Sequence, residues 1–348
     1  MHINIIFIIS FITLATSSQI EYKINQITHT ITFSGKGDMK DYLKKDEVPW
    51  ISELSDLEEV IIGDEITSIG DYSFAHFKNI TKLTIGKNVK IIGERSFFNT
   101  SIEELFIPKN VKIIDEAAFD HCKELKKIVF EENSELEEMK QLAFFNCSNI
   151  EEVRIPGKMK KLANEVFDKC DKLKTITIDE NNEVYTVVDN VIFTKDMKTV
   201  VFYPNGKLDK YYDIPESVRK IEAFAFKNAN FYTVRLPREL ETIGEYSFYS
   251  CGNIEMIIIP KKVKKIDYYA FCSCIFLQKV IILSEDIEVK GFSFCDNEWL
   301  VDMYYVGESY EKMKCETPLF LGSKRMERIK YPKTFEEGKT KYCGMNTT

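Results

Sequence analysis

Phenylalanine recurs at a nearly fixed spacing through most of the 348-residue chain. Nine copies form two runs in which neighbours stand 22 to 25 residues apart: Phe74, Phe97, Phe119, Phe144 and Phe167, then Phe226, Phe248, Phe271 and Phe294. A fixed period in this range is typical of solenoids, in which each repeat forms one turn of a coil. One repeat cannot bury its apolar face alone, so stability depends on the stacking of neighbouring turns. The period therefore predicts one solenoid, although length alone would suggest roughly two globular domains.

Each repeat has the form V-x-x-I-G/D-x-x-A/S-F-x-x-C-x-x-L-x-x-V-x-I-P. Its last segment alternates apolar and polar residues with a period of two, which predicts a short, half-buried strand. Strands one period apart stack in parallel, and the proline ends the ladder because it has no N–H. We therefore predict a right-handed coil of short parallel strands, in which the phenylalanines stack as an internal apolar spine.

The regular period is interrupted once. Residues 179–225 lack it, and within them Tyr185–Pro204 is typical of two strands joined by a polar turn at Lys195–Lys198. Because the pattern resumes in phase, we interpret this stretch as divergent repeats with an inserted hairpin, inside a solenoid of residues 51–306.

The two ends differ from the repeats, as the exposed ends of a solenoid must. Ile20–Phe33 alternates like a hairpin, so residues 18–50 are predicted to form an N-terminal β cap, with Trp50 covering the first core layer. The period fades in residues 307–348, which we interpret as a C-terminal cap or tail.

The first residues predict export. Ile3–Leu14 is a mostly apolar run of about a dozen residues, whereas a bilayer span needs about 20. Small residues follow, and Ala15-x-Ser17 fits a signal-peptidase site. We predict a signal peptide over residues 1–17; the alternative is a buried first strand. No later segment is long and apolar enough for a membrane span, so none is expected after cleavage.

Export would expose four Asn-x-Ser/Thr sequons to glycosylation. These candidate sites are Asn79, Asn99, Asn146 and Asn346.

The repeat unit, with its phenylalanine, cysteine and strand-ending proline, resembles that of the BspA-like leucine-rich repeat proteins over about residues 30–345. Those proteins are surface antigens of host-associated bacteria and protozoa. The segments Ile31–Trp50, Asp189–Lys207 and Lys339–Gly344 resemble the family's lead-in, divergent repeat and ending. The resemblance implies a leucine-rich-repeat solenoid that is secreted or displayed at the cell surface and adheres to host matrix or cells. The chain departs from the family pattern where other residues replace the repeat cysteine, at Phe77, Thr100, Ala229 and Asn297.

The sequence offers little for catalysis or for nucleic acid. It has four histidines, which lie far apart, and none of the common nucleophile, phosphate-binding or zinc-protease motifs. The net charge is −8 and lysines outnumber arginines 40 to 7, which argues against nucleic acid. We therefore predict no catalytic residues, no cofactor and no metal.

Five of the nine cysteines stand three residues after a repeat phenylalanine: Cys122, Cys147, Cys170, Cys251 and Cys274. We interpret this column as small buried residues repeated for packing. The rival interpretations are a metal site, for which Cys272-x-Cys274 is a weak signal, and stacked disulfides. Cys315 and Cys343 lie off the column in the tail, where a disulfide would stabilise the chain, and we predict that they pair.

The middle residue of each strand points away from the core and forms a candidate binding face. The residues of this face most suited to binding are Phe106, Arg154, Arg235, Ile258, Ile281 and Tyr304. The alternative is that the β-branched ones reflect only strand propensity. Against this alternative, Ile258, Ile281 and Tyr304 occupy consecutive repeats and would make one apolar patch.

These observations predict a non-catalytic extracellular protein that binds a protein ligand, with host extracellular matrix or a cell-surface protein as candidates. The alternative is a structural or antigenic coat component without a specific ligand. An extracellular enzyme is the third possibility and has the least support.

Overall fold

The computed structural model describes residues 20–53, 55–307, 312–326, 328–330 and 346–347. The predicted signal peptide lies outside the described residues. The chain forms two compact units: one extends to Asp171 and includes Asp179–Asn182, and the other comprises Lys172–Ile178 and the chain from Glu183 onwards. Each unit is a coil of short parallel strands, which confirms the predicted fold class.

Each regular turn contributes one strand of three or four residues to a ladder that we call the strand face. In the first unit these strands are β4 (Glu59–Ile62), β6 (Lys82–Thr84), β8 (Glu104–Ile107), β10 (Lys127–Phe130) and β12 (Glu152–Ile155). In the second unit they are β14 (Thr175–Ile178), β18 (Tyr211–Asp213), β20 (Thr233–Arg235), β22 (Met256–Ile259), β24 (Lys279–Ile282), β26 (Asp302–Tyr305) and β28 (Arg328–Lys330), to which β29 (Asn346–Thr347) adds.

A second ladder of shorter strands lies on another side of each coil. In the first unit it consists of β3 (Gly37–Asp38), β5 (Ile66–Ile69), β7 (Ile91–Ile92), β9 (Ile113–Ile114), β11 (Glu138–Met139) and β13 (Lys161–Leu162). In the second unit it consists of β17 (Thr199–Phe202), β19 (Lys220–Ile221), β21 (Thr242–Ile243), β23 (Lys265–Ile266), β25 (Ile287–Val289) and β27 (Met313–Cys315).

The third side of each turn, which we call the turn face, is made of tight turns. Its non-glycine residues adopt positive φ twice per turn, as at Tyr269 and Ser273. Some turns begin with a glycine whose backbone closely approaches the preceding turn, and others have Asp115 or Asp267 at the same position. A Cβ at Gly244 would lie 2.7 Å from the Ile221 carbonyl oxygen, and one at Gly93 would lie 2.5 Å from that of Ile69.

The predicted phenylalanine spine is confirmed. In the first unit the rings of Phe74, Phe97, Phe119, Phe144 and Phe167 stack with centroids 5.2–5.7 Å apart. In the second unit the rings of Phe226, Phe248, Phe271 and Phe294 stack at 5.0–5.4 Å. All nine side chains are buried, so the spine is the centre of the core in both units.

The cysteine column is also a packing feature, as predicted. Each thiol donates to the carbonyl oxygen of the spine phenylalanine one turn earlier, as Cys122 does to Phe97 at 3.2 Å and Cys251 to Phe226 at 3.0 Å. Burial raises the pKa of Cys122 to about 11, so the thiol stays protonated at neutral pH. Where Asn297 replaces the cysteine, its Nδ2 donates the equivalent bond to Phe271 at 2.9 Å.

One disulfide joins consecutive repeats of the second unit. It links Cys272 to Cys295, 23 residues apart, and therefore removes Cys272 from any metal site. Cys315 also takes part in a disulfide. Cys343 lies outside the described residues, so its pairing with Cys315 stays a prediction.

The N-terminal end is a hairpin that joins the strand face. β1 (Ile20–Asn25) pairs antiparallel with β2 (Thr30–Gly35), and β2 pairs parallel with β4. Two single-turn 3-10 helices follow, at Lys45–Glu47 and Ile51–Glu53. Between them Trp50 is buried, stacks on Phe74 at 5.6 Å and donates its Nε1–H to the Ser73 carbonyl at 2.9 Å.

The inserted segment contains one strand more than the sequence indicated. β15 (Tyr185–Val188) and β16 (Val191–Thr194) form one antiparallel hairpin, and β16 forms a second with β17. The Lys195–Lys198 turn connects the second hairpin, as predicted. The first hairpin turns at Asp189 and Asn190, both at positive φ, where a two-residue turn needs that conformation.

Candidate binding surface

Along each regular strand of the strand face, exposed and buried residues alternate. β8, β10, β12 and β22 show this pattern without interruption. The first and third residues point outward, and parallel pairing aligns them from one turn to the next: Val129 lies opposite Phe106, and Ile281 lies opposite Ile258. The register thus produces two outward columns, one at the first strand position and one at the third. The predicted binding face comprised only the column at the third position.

In the first unit, charges of alternating sign mark the entry to successive strands. The residues are Glu58 and Glu59, then Lys82, Glu103 and Glu104, Lys126 and Lys127, and Glu151 and Glu152. Lysines thus stand between successive acidic pairs, and Lys126 lies 2.9 Å from Glu103. At these positions six carboxylates outnumber three ammonium groups, so the strand entries of this unit are charged and carry an acidic excess.

Two of the predicted binding residues are arginines, and both are paired internally. Arg154 lies 2.5 Å from Asp179. Arg235 bonds both carboxylate oxygens of Asp213, at 3.1 and 3.3 Å, and approaches Glu216 at 3.6 Å. Their guanidinium groups are thus held within the chain, and a ligand would have to compete with these carboxylates. Phe106, by contrast, is 50% exposed.

The other three predicted residues form one aligned row, which we call the apolar column. Ile258, Ile281 and Tyr304 occupy the same position in β22, β24 and β26 and are adjacent in register. Ile258 is 43% exposed, and the other two are half-buried. The Lys279 ammonium lies 4.8 Å from the Tyr304 ring centroid, a cation–π contact that orients the ring.

Exposed aromatic residues adjoin the entry to the last strands and were missed by the sequence analysis. Each of these repeats has a buried leucine or isoleucine three residues after the cysteine position. In one repeat the residue just before it is Asn253, whose Nδ2 donates to the Asn230 carbonyl at 3.0 Å. In the next two turns Phe276 and Trp299 take this position, and both are exposed. The Arg325 guanidinium lies 3.8 Å from the Trp299 ring centroid. The signal was available, since aromatic residues interrupt a column that is polar in the preceding repeats.

A second group missed by the sequence analysis lies at the first strand position and just before it. Tyr211, Tyr232 and Met256 are all exposed there. The period of two marks the first strand position as outward just as it marks the third, so the pattern already contained Tyr211 and Met256.

The four sequons differ in what their side chains do. Asn79 is exposed, and its Nδ2 donates to the Ser55 carbonyl. Asn99 and Asn146 occupy equivalent positive-φ positions on the turn face, and Asn99 Nδ2 lies 3.1 Å from His76 Nδ1. The side chain of Asn346 lies outside what the structure describes. Use of these sites for glycosylation stays a prediction.

Within the described residues, one group has the composition of a metal site: Cys272, Cys295 and Asp296. The two sulfur atoms are bonded to each other and are not available as thiolate ligands. No helix in the described part of the chain is both long and apolar enough to cross a bilayer.

A family model matches most of the chain. The model, described as BspA type leucine rich repeat region, matches in six copies over residues 52–174, 97–208 and 195–314. No curated protein matches the chain.

Solved structures match over almost the whole chain. A leucine-rich repeat protein from Eubacterium ventriosum is 21% identical, with a TM-score of 0.75 over 92% of this chain and 84% of that one. The pneumococcal vaccine antigen PcpA is 22% identical, with a TM-score of 0.72 over 93% and 87%. A leucine rich cell surface protein from Faecalibacterium prausnitzii is 20% identical, with a TM-score of 0.68 over 92% and 95%. At these identities the likeness establishes the fold.

Proposed function

The chain belongs to the BspA-type leucine-rich repeat family, and on that basis we propose that it is an exported, non-catalytic protein that binds a protein ligand through the strand face of its second unit. Host extracellular matrix and host cell-surface proteins are the proposed partners. Two of the similar structures are those of a cell surface protein and a vaccine antigen, which supports a location at the cell surface.

The apolar column is the observation that carries this proposal. Three aligned apolar side chains stand on a parallel ladder of strands, whereas the strand entries of the first unit are charged. Contiguous apolar surface is unfavourable in water and commonly marks an interaction site. Phe276 and Trp299 add exposed aromatic surface beside the column, and aromatic residues are enriched at the centres of protein interfaces.

The disulfide between Cys272 and Cys295 supports export independently. Disulfides form and persist in oxidising compartments and are rare in the cytosol. The five column cysteines remain free thiols because they are buried and bonded to backbone carbonyls.

A double substitution in the apolar column should weaken attachment without unfolding the chain. Ile281→Thr with Tyr304→Thr places a β-branched residue, which suits a strand, at both positions and removes the apolar surface. We expect attachment to matrix proteins or host cells to fall about tenfold or more, which corresponds to ~1.4 kcal/mol. Surface-plasmon resonance against purified matrix proteins, with circular dichroism as the folding check, measures this.

The matched control replaces two exposed apolar residues far from the column in sequence. Ile27→Thr with Leu43→Thr, both in the N-terminal end, should leave attachment unchanged. Equal attachment by the two double variants would remove the apolar column from consideration. If the folded wild-type chain attaches to no matrix protein or cell, the coat-component alternative gains support.

Export has a direct test. Protein isolated from the native cell should begin near Ser18 when its N-terminus is sequenced, because cleavage is expected after the small-residue site. An intact Met1 on protein from the cytosolic fraction would contradict the secretion proposal.

A further inference from the structure

We propose that the second unit holds a binding site for a neutral oligosaccharide, in a depression where β18, β20 and β22 begin. The depression has a volume of about 440 Å³ and is lined by Lys210, Tyr211, Tyr232, Thr233, Glu255 and Met256. This volume lies within the range of small-molecule sites, roughly 300–1,000 Å³. The lining shares no residue with the apolar column.

Two aromatic rings at the depression are open to solvent. Tyr211 is 74% exposed and Tyr232 53% exposed, and neither ring contacts another ring or a cation among the described residues. On the turn face of the same unit, in contrast, the rings of Tyr246 and Tyr269 stack on each other at 4.7 Å. An open aromatic face carries partial negative charge and attracts the partially positive C–H groups on the apolar face of a pyranose ring.

The polar side chains of the depression are unpaired. Lys210, Thr233 and Glu255 make no side-chain hydrogen bond or ion pair within the described residues. Arg235, on the same strand face, is in contrast engaged by Asp213. The Lys210 ammonium can donate hydrogen bonds, the Glu255 carboxylate can accept them, and the Thr233 hydroxyl can do both. Such a set can bond the hydroxyl groups of a sugar, which also donate and accept. One positive and one negative charge balance, so a neutral sugar fits better than a sulfated or acidic one.

The backbone holds these groups in place before any ligand arrives. Tyr211 and Thr233 are opposite each other in the parallel pairing of β18 and β20. The N–H groups of Tyr232 and Thr233 both donate to the Lys210 carbonyl, at 3.0 and 3.2 Å. A site built on paired strands loses little conformational entropy on binding.

A peptide is the competing occupant, but the lining favours it less. A peptide ligand would need apolar pockets for its side chains, and Met256 is the lone aliphatic residue in the lining. Aromatic rings combined with unpaired donors and acceptors suit a ligand that has both apolar faces and a rim of hydroxyls.

The test is binding of the full chain to a panel of immobilised neutral oligosaccharides ending in glucose, galactose, mannose or N-acetylglucosamine. We expect saturable binding to at least one of them. Tyr211→Ala with Tyr232→Ala should weaken it about tenfold or more, since each ring contact contributes roughly 0.5–1.5 kcal/mol. Tyr211→Phe with Tyr232→Phe keeps both rings and should weaken it less.

Two controls separate this site from the protein-binding proposal. Phe106→Ala removes an aromatic residue about as exposed as Tyr232 from the other unit's strand face and should leave sugar binding unchanged. Ile281→Thr with Tyr304→Thr should also retain sugar binding, even where protein attachment is lost. No binding of the wild-type chain to any member of the panel, or equal binding by the Tyr211/Tyr232 double alanine variant, would overturn the oligosaccharide site. Capture of unglycosylated peptides that depends on the same two tyrosines would overturn it in favour of the peptide.

Discussion

Phe119→Ala or Phe248→Ala is expected to lower the free energy of unfolding by about 3–5 kcal/mol, the range for truncating a buried phenylalanine. Both side chains are fully buried. Phe119 stacks at 5.3 Å on each of its neighbours in the spine, and Phe248 stacks at 5.0 Å on each of its own. Truncation removes apolar burial and leaves a cavity between two rings that the backbone ladders hold apart. Urea unfolding followed by circular dichroism measures the loss.

Phe106→Ala is the matched control for the spine variants. It removes the same side chain from an exposed position on the strand face, and such surface changes usually alter stability by no more than about 0.5 kcal/mol. Wild-type-like unfolding of both spine variants would show that stacking of these rings contributes little to the core.

The spine was predictable because its signal is repeated nine times. A large apolar residue that recurs about every 23 residues indicates a coil in which that residue lies inside each turn. The strand face followed from the period-two alternation next to it. The second ladder could not be predicted from the sequence, because strands such as Ile113–Ile114 have two residues and place only one of them inward. Two residues are too few for a periodic signal.

The disulfide was missed although its signal was present. Cys272 follows Phe271 and Cys295 follows Phe294, so both occupy the same position in consecutive repeats. Equivalent positions of a solenoid lie one turn apart, and here the Cα atoms are 4.5 Å apart. Proximity along the chain instead suggested Cys274 as a companion of Cys272 in a metal site, but the Cys274 side chain is buried in the core.

Part of the binding surface was also predictable, and part needed the structure. Alternation alone placed Ile258, Ile281 and Tyr304 on one exposed row. It did not show that Arg154 and Arg235 are held by carboxylates of their own unit, because ion pairs depend on side-chain reach between turns. The depression at Tyr211 and Tyr232 depends on the shape of strand entries, and no periodic pattern specifies that shape.

Removal of the Cys272–Cys295 disulfide should be the second large perturbation. The bond closes a loop of one repeat, 23 residues, and loops of that size are stabilised by about 3 kcal/mol through the restriction of the unfolded chain. Cys272→Ser with Cys295→Ser removes both sulfur atoms, so that neither position is left with an unpaired thiol. We expect the free energy of unfolding to fall by about this amount in urea without reductant.

The loss should be local, because each repeat of a solenoid contacts mainly its neighbours. Hydrogen exchange of the double serine variant should therefore accelerate in the turns around Phe271 and Phe294. Amides around Phe97 and Phe119, in the other unit, should keep their wild-type rates and serve as the internal control. An unchanged unfolding free energy would mean that the stacked rings and ladders already hold these two turns without the bond. Equal acceleration in both units would mean that the chain unfolds as one cooperative block, in which case stability is not additive over repeats.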